Sequence, residues 1–374
     1  MYAKIERLLS QVESESGHGI LGKKRTPSAF RSPNITTGIP PLDDALKEHT
    51  ANITQEEQHP RPPLFELLGA SGSGKTQMLY RICVSTAMPR SAKLSNGTTV
   101  DLQGHSAHVL LVDIDGKMSM DILAHQIRER ARELIEKNKG LEFNNSEEEE
   151  EERVVEEALG RIRVFTPEST HSLVATLALL PRYAQDIDAP LVLLVDGLGA
   201  NFWLDKRTSD HMWLKIKRAT PWFRLQQVMV DTLQQVHLAL GCLCVVTSGL
   251  FLRSTEGSGL VRMASQESAS SASQGSQQAA GGGGQQGARS IEVGQCVYRD
   301  HMIPRWKSAV TGSFVLESMP GAGHGGMVDC PVTKITLMNV GGQQNQNQQQ
   351  ALGNPLQKYT MYVGTRAECQ KNAC

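Results

Sequence analysis

"LFELLGASGSGKTQML", Leu64 to Leu79, decides the fold. An apolar run ends in a glycine-rich turn. A lysine and a threonine follow, and then an apolar-periodic segment containing Met78, Leu79 and Ile82. The turn, Gly69-Ala70-Ser71-Gly72-Ser73-Gly74-Lys75-Thr76, fits G-x-x-x-x-G-K-[ST]. A chain of this length matches that pattern by chance in roughly a few cases per hundred. The strand before it and the helix after it are the context the motif needs. Glycines let the backbone curl so that successive N–H groups face a phosphate. The helix N-terminus adds a favourable dipole. Lys75 would reach the β- and γ-phosphates of a nucleotide, and Thr76 would place its hydroxyl on Mg²⁺. The competing reading is a glycine-rich strand–helix turn that takes no ligand.

A metal beside those phosphates calls for a second carboxylate. "APLVLLVDGLG" at 189–199 supplies Asp196, at the end of the buried apolar run Val192 to Val195. The expected ligand is therefore ATP with Mg²⁺. Thr76 and Asp196 make up the metal's protein shell, Asp196 through water.

Apolar strand candidates lie near 64–68, 107–113, 161–165, 190–195 and 242–247, with helical patterns near 75–87, 119–137, 170–184 and 223–239. That alternation predicts βαβ units: an α/β fold with a mostly parallel sheet and helices on both faces. β-like runs at 310–317, 332–338 and 358–363 have no helices between them and read as hairpin strands added at one sheet edge. Residues 35–253 and 291–339 form the core on this reading. Residues 1–34 read as a short amphipathic helix (Ile5, Leu8, Leu9 and Val12 at helical spacing) and a linker. Residues 254–290 are rich in Ser, Gln, Gly and Ala and read as a disordered insert. Residues 340–355, with the Gln/Asn tract, form a second such loop, and 356–374 hold a final strand and tail. The acidic run Glu147 to Glu152 repels itself and is expected to be a solvated loop or frayed helix end.

The formal net charge of -1 excludes a chain that is basic throughout. Seven cysteines without a C-x-x-C pair read as reduced thiols. No apolar run reaches membrane-spanning length, so no membrane partner is expected, and the chain reads as soluble and intracellular. Lys23-Lys24-Arg25 is a short basic cluster that serves either as a nuclear import signal or as solvated charge.

Several stretches resemble RecA/RadA-type recombinases. "TTGIPPLDDAL" at 36–46 is similar to the segment before that family's first core strand, here separated from the loop by a polar insertion at 47–63. "VLLVDIDGKMSMDIL" at 109–123 is similar to the next strand and its turn. "VFTPESTHSLVATLALL" at 164–180, "LVLLVDGLGANFWLDKR" at 191–207 and "YRDHMIPRWKSAV" at 298–310 narrow the likeness to a paralogue branch. The resemblance implies a RecA-like P-loop core. It also implies a role in homologous recombination and double-strand break repair, in the nucleus, within a heteromeric complex of recombinase paralogues. Single-stranded or branched DNA would be reached through that complex.

The chain departs from the family in three places. Where active recombinases carry a catalytic glutamate, the matching residue is Asp115, one methylene shorter, and a misplacement of about 1 Å can cost on the order of 100-fold in rate. Hydrolysis is therefore expected to be slow or absent. After the strand at 242–247 the chain reads Thr247-Ser248-Gly249, so the family's glutamine relay is missing. The insert 254–290 offers Arg262 and Arg289, with Arg253 at its edge, and no aromatic residue for base stacking. Arg299, His301, Arg305, Trp306 and Lys307 form another patch. It reads as a packed tryptophan with surface cations, slightly favoured, or as a DNA contact. No F-x-x-A segment occurs, so filament formation is not expected. Two rival functions are a DNA-dependent ATPase with real turnover, using Asp115, and a small-molecule P-loop kinase. The kinase would need an arginine-rich lid where the serine- and glutamine-rich insert lies.

Overall fold

The computed structural model describes residues 34–51, 61–94, 97–139, 146–216, 222–252, 290–293, 296–299, 302–319, 332–338 and 358–362. The expected helix at 2–13, the basic cluster at 23–25, the body of the 254–290 insert and the Gln/Asn tract lie outside them.

The described residues begin with a short loop and helix α1 (Pro40–Ala51), and strands and helices then alternate. Strand β1 (Leu64–Gly69) leads into α2 (Lys75–Ala87). A small hairpin follows, β2 (Ser91–Lys93) and β3 (Thr99–Asp101). Next come β4 (His108–Asp113), α3 (Met120–Lys139), α4 (Ser146–Gly160) and β5 (Ile162–Phe165). Then come α5 (Thr170–Tyr183), β6 (Leu191–Asp196), α6 (Phe202–Ile216), α7 (Trp222–Leu240) and β7 (Leu243–Gly249). The C-terminal part has β8 (Phe251–Leu252), β9 (Ser290–Val293), β10 (Cys296–Arg299), α8 (Pro304–Ala309), β11 (Gly312–Met319), β12 (Val332–Met338) and β13 (Lys358–Tyr362).

Eight strands form the main sheet in the order β13-β12-β11-β1-β7-β6-β4-β5. From β11 to β5 every pairing is parallel, while β12 and β13 run antiparallel. The sequence explains why this sheet is covered on both faces. β1, β6 and β7 are almost unbroken apolar runs, as strands buried on two sides require. Their side chains alternate between two cores. Phe65, Leu67, Val109, Leu111, Val192 and Leu194 point to one, packed against α1 to α4. Leu64, Leu110, Val112, Leu191, Leu193 and Val195 point to the other, packed against α5, α7 and α8. The α/β architecture expected from the sequence is the observed one, and it is consistent with a RecA-like core.

One expectation is extended and one needs correction. β11, β12 and β13 are added at one side of the sheet with antiparallel pairing, as expected, but β11 also pairs in parallel with β1, which a simple hairpin reading does not include. The acidic run belongs to helix α4, and Glu150 and Glu151 are only 3% exposed. Arg132 on α3 donates from Nε and Nη2 to the two oxygens of Glu151, at 3.1 and 2.9 Å. One helical turn earlier, Arg128 donates to Glu152 at 2.7 Å. Self-repulsion along the run is offset by cations from a neighbouring helix, a tertiary partner invisible to a local reading of charge. Among the described residues, no helix is long and apolar enough to cross a membrane.

Candidate phosphate and metal site

The C-terminal ends of β1, β4, β6 and β7 meet at one place, where an open parallel sheet conventionally presents its ligand. The glycine loop leaves β1 there. Gly72 and Gly74 have φ of +79° and +90°, in the left-handed region that a side chain disfavours. Gly69 is fixed by space instead: a Cβ there would stand 2.2 Å from Ser73 Oγ and 2.9 Å from the Leu316 carbonyl. Gly74 is the N-cap of α2 and contributes no side-chain cap. The first-turn amides of the helix are thus left to be satisfied by something else, the property that makes a helix start receptive to anions.

Lys75 lies back across the loop. Its Nζ donates to the carbonyls of Gly69 and Ala70, at 2.8 and 2.7 Å, and to Ser73 Oγ at 3.4 Å. Burial pulls the lysine's pKa down, against the opposing pull of Asp196 and Asp115. Thr76 donates its hydroxyl to Asp196 Oδ2 at 3.0 Å, joining positions 120 residues apart. Asp196 is 4% exposed. Burial pushes its carboxyl up. Hydrogen bonds from Thr247 and Thr76 oppose that, and Asp113 and Asp115 add to it. Thr76 thus hydrogen-bonds Asp196, and the charges of Asp196 and Asp115 both act on Lys75.

Asp115 sits on the rim. It follows β4 in the turn Ile114 to Gly116, where Gly116 has φ of +63°. Its carboxyl abuts Gly197, where a Cβ would come within 3.0 Å of the Asp115 Cγ. Lys117 Nζ lies 3.0 Å from Asp115 Oδ2, and both side chains are solvent-accessible.

Two residues with site contacts were not assigned roles from the sequence. Asp113, buried at the end of β4 in register with Asp196, accepts from the backbone N–H of Lys117 and Met118 at 3.3 and 3.0 Å. It shapes the turn that carries Asp115. Thr247 donates to Asp196 Oδ1 at 2.5 Å. From the sequence, the Thr247-Ser248-Gly249 stretch reads only as the place where a glutamine is missing. The signal available was a hydroxyl at the end of a fully apolar strand.

The donor set suits phosphate and a hard divalent cation: an ammonium, uncapped helix amides, hydroxyls and carboxylates. Among the described residues, no three His, Cys, Asp or Glu side chains could hold a metal by themselves. A Mg²⁺ ion here would take most of its shell from phosphate and water, which is its usual preference.

The patch considered for DNA contact is resolved differently. Trp306 is fully buried, and its indole N–H donates to Glu66 Oε1 at 2.6 Å. Glu66 Oε2 accepts from Ser313 Oγ at 3.0 Å. Arg305 pairs with Asp231 at 2.7 Å. The packed-tryptophan reading holds, and the ring has no free face for a base. Arg299 lies on β10 and His301 lies outside the described residues.

These features define a mostly parallel α/β domain with a glycine loop and an acidic strand end converging at the C-terminal ends of its central strands. Over 167 residues the chain is 24% identical to the mouse (Mus musculus) DNA repair protein XRCC2, a match covering 43% of this chain and 49% of the mouse protein. The alignment thus spans about half the length of that curated relative. No family model matches the chain.

Proposed function

We propose that the chain is an ATP-binding recombinase paralogue that assists DNA repair by homologous recombination within a heteromeric paralogue complex in the nucleus. The observation that carries the nucleotide part is the Thr76–Asp196 hydrogen bond. It ties the end of β6 to the start of the helix that follows the glycine loop, beside Lys75, whose charge Asp196 influences. The loop from Gly69 to Thr76 would hold the phosphates, with Lys75 on the β- and γ-groups. Thr76 and, through water, Asp196 would hold Mg²⁺, which supplies charge neutralisation at the phosphates. The likeness to XRCC2 supports the repair role and the choice of other recombinase paralogues as partners, with DNA engaged through the complex.

Holding ATP is favoured over turning it over. Asp115 stands in the position the recombinase resemblance assigns to the catalytic base, and it is short and ion-paired to Lys117. The second reading, a slow DNA-dependent ATPase, rests on that same residue's place beside Gly197.

The test has two arms. Fluorescent ATP is titrated into the purified chain with and without Mg²⁺, for wild type and Lys75→Ala. The same two proteins are co-expressed with recombinase paralogues and co-purified. Saturable, Lys75-dependent binding supports the nucleotide reading. A stable stoichiometric complex supports the paralogue reading, and its absence with every paralogue would overturn it.

A further inference from the structure

Asp196 is held from two sides. The Thr76 hydroxyl occupies Oδ2, and Thr247, from the adjacent strand, occupies Oδ1. Thr247 is completely buried. Its hydroxyl has one proton and two acceptor sites. The proton goes to Asp196. The oxygen accepts the backbone N–H of Gly197 at 2.7 Å. The Thr247 carbonyl accepts the next N–H, that of Leu198, at 2.9 Å. One residue thus receives the turn leaving β6 at three successive positions.

The consequence reaches both carboxylates of the site. Gly197 has φ of +77°, and its Cα has the Asp115 carboxyl against it, close enough that a Cβ would collide. A shift of the Gly197 backbone would therefore move Asp196 directly and Asp115 by contact. Deleting the Thr247 hydroxyl would leave the half-buried Gly197 N–H without its acceptor and free the Asp196 carboxyl to turn. A ligand-orienting side chain of this kind usually costs about 10–100-fold in metal affinity when removed.

Resting on the nucleotide reading above, we infer that Thr247 is a positioning residue that aims Asp196 and so sets the Mg²⁺ affinity of the nucleotide complex. The loop contacts to phosphate do not pass through it, so its removal separates metal affinity from metal-free nucleotide affinity.

The experiment titrates Mg²⁺ into the chain with fluorescent ATP and reads the half-saturating Mg²⁺ concentration, with metal-free ATP affinity measured alongside. Thr247→Val is expected to raise the Mg²⁺ midpoint by about tenfold or more while leaving metal-free affinity unchanged. Thr247→Ser, which keeps the hydroxyl, should restore the wild-type midpoint. If the valine protein does not fold, Thr247→Ala carries the same comparison without added bulk. A folded variant lacking the hydroxyl, with an unchanged midpoint, overturns the inference. So does a rise in midpoint that serine fails to reverse. Wild-type protein that binds no ATP with or without Mg²⁺ overturns the nucleotide reading itself, and the inference with it.

Discussion

The ends of β6 and β4 carry Asp196 and Asp115 only a short distance apart, and they are built in opposite ways. Asp196 is 4% exposed, with a hydroxyl on each oxygen and a neighbouring backbone N–H locked by the same threonine. Asp115 is on the rim, in a turn shaped by Asp113, with one flexible lysine as its partner. Buried, fully partnered polar groups hold one geometry, because any other leaves a group unsatisfied in a low-dielectric site. An exposed ion pair holds nothing so firmly, since water replaces either partner at little cost. The half of the site that would grip a nucleotide is rigid, and the half that would have to activate water is loose.

Substitutions can break or sharpen that contrast. Lys75→Ala removes the charge on the rigid side, and ATP affinity should fall on the order of 100-fold, about 2.7 kcal/mol, by fluorescence titration. A weaker effect would mean the loop grips through its amides alone. Asp115→Glu restores the missing methylene on the loose side. Single-turnover hydrolysis in the presence of single-stranded DNA should rise on the order of 10- to 100-fold, with ATP affinity unchanged. No rise would place the deficit elsewhere than in carboxylate reach. Trp306→Phe removes the indole N–H from the buried Glu66 carboxylate on β1, the strand that delivers the loop. Stability should fall by about 1–3 kcal/mol in chemical denaturation. Lys117→Ala should cost less than about 1 kcal/mol, as an exposed pair would. A larger loss would show that the rim is more ordered than its exposure suggests.

Much of this was legible in the sequence, for identifiable reasons. The core strands and most of the crossover helices announced themselves because two-sided burial forces unbroken apolar runs and helix burial forces 3.6-residue spacing. The glycine loop was legible because backbone curvature dictates residue type there. Helices α4 and α6 were not legible. α4 is stabilised by arginines of α3, and no local pattern contains that partner. Thr247 was hidden for the same reason: its work is done across the sheet, on a residue 51 positions away. The packed Trp306 was the favoured reading, but its indole's partner, Glu66, lies 240 positions earlier and was not legible. Periodicity reports what a segment does with its own neighbours, while polar satisfaction is settled between segments.

The sheet order has a consequence for how the molecule is made. β1 comes early in the chain but lies between β7 and β11, and its first residue bonds Thr311, 247 positions later. At about 5–20 residues per second, the ribosome would release β1 roughly 10–50 s before its second neighbour emerges. During that interval an apolar strand followed by a glycine loop has no completed sheet to join. The glycine loop, the easiest feature to read in the sequence, therefore follows a strand whose pairing is completed only late in synthesis.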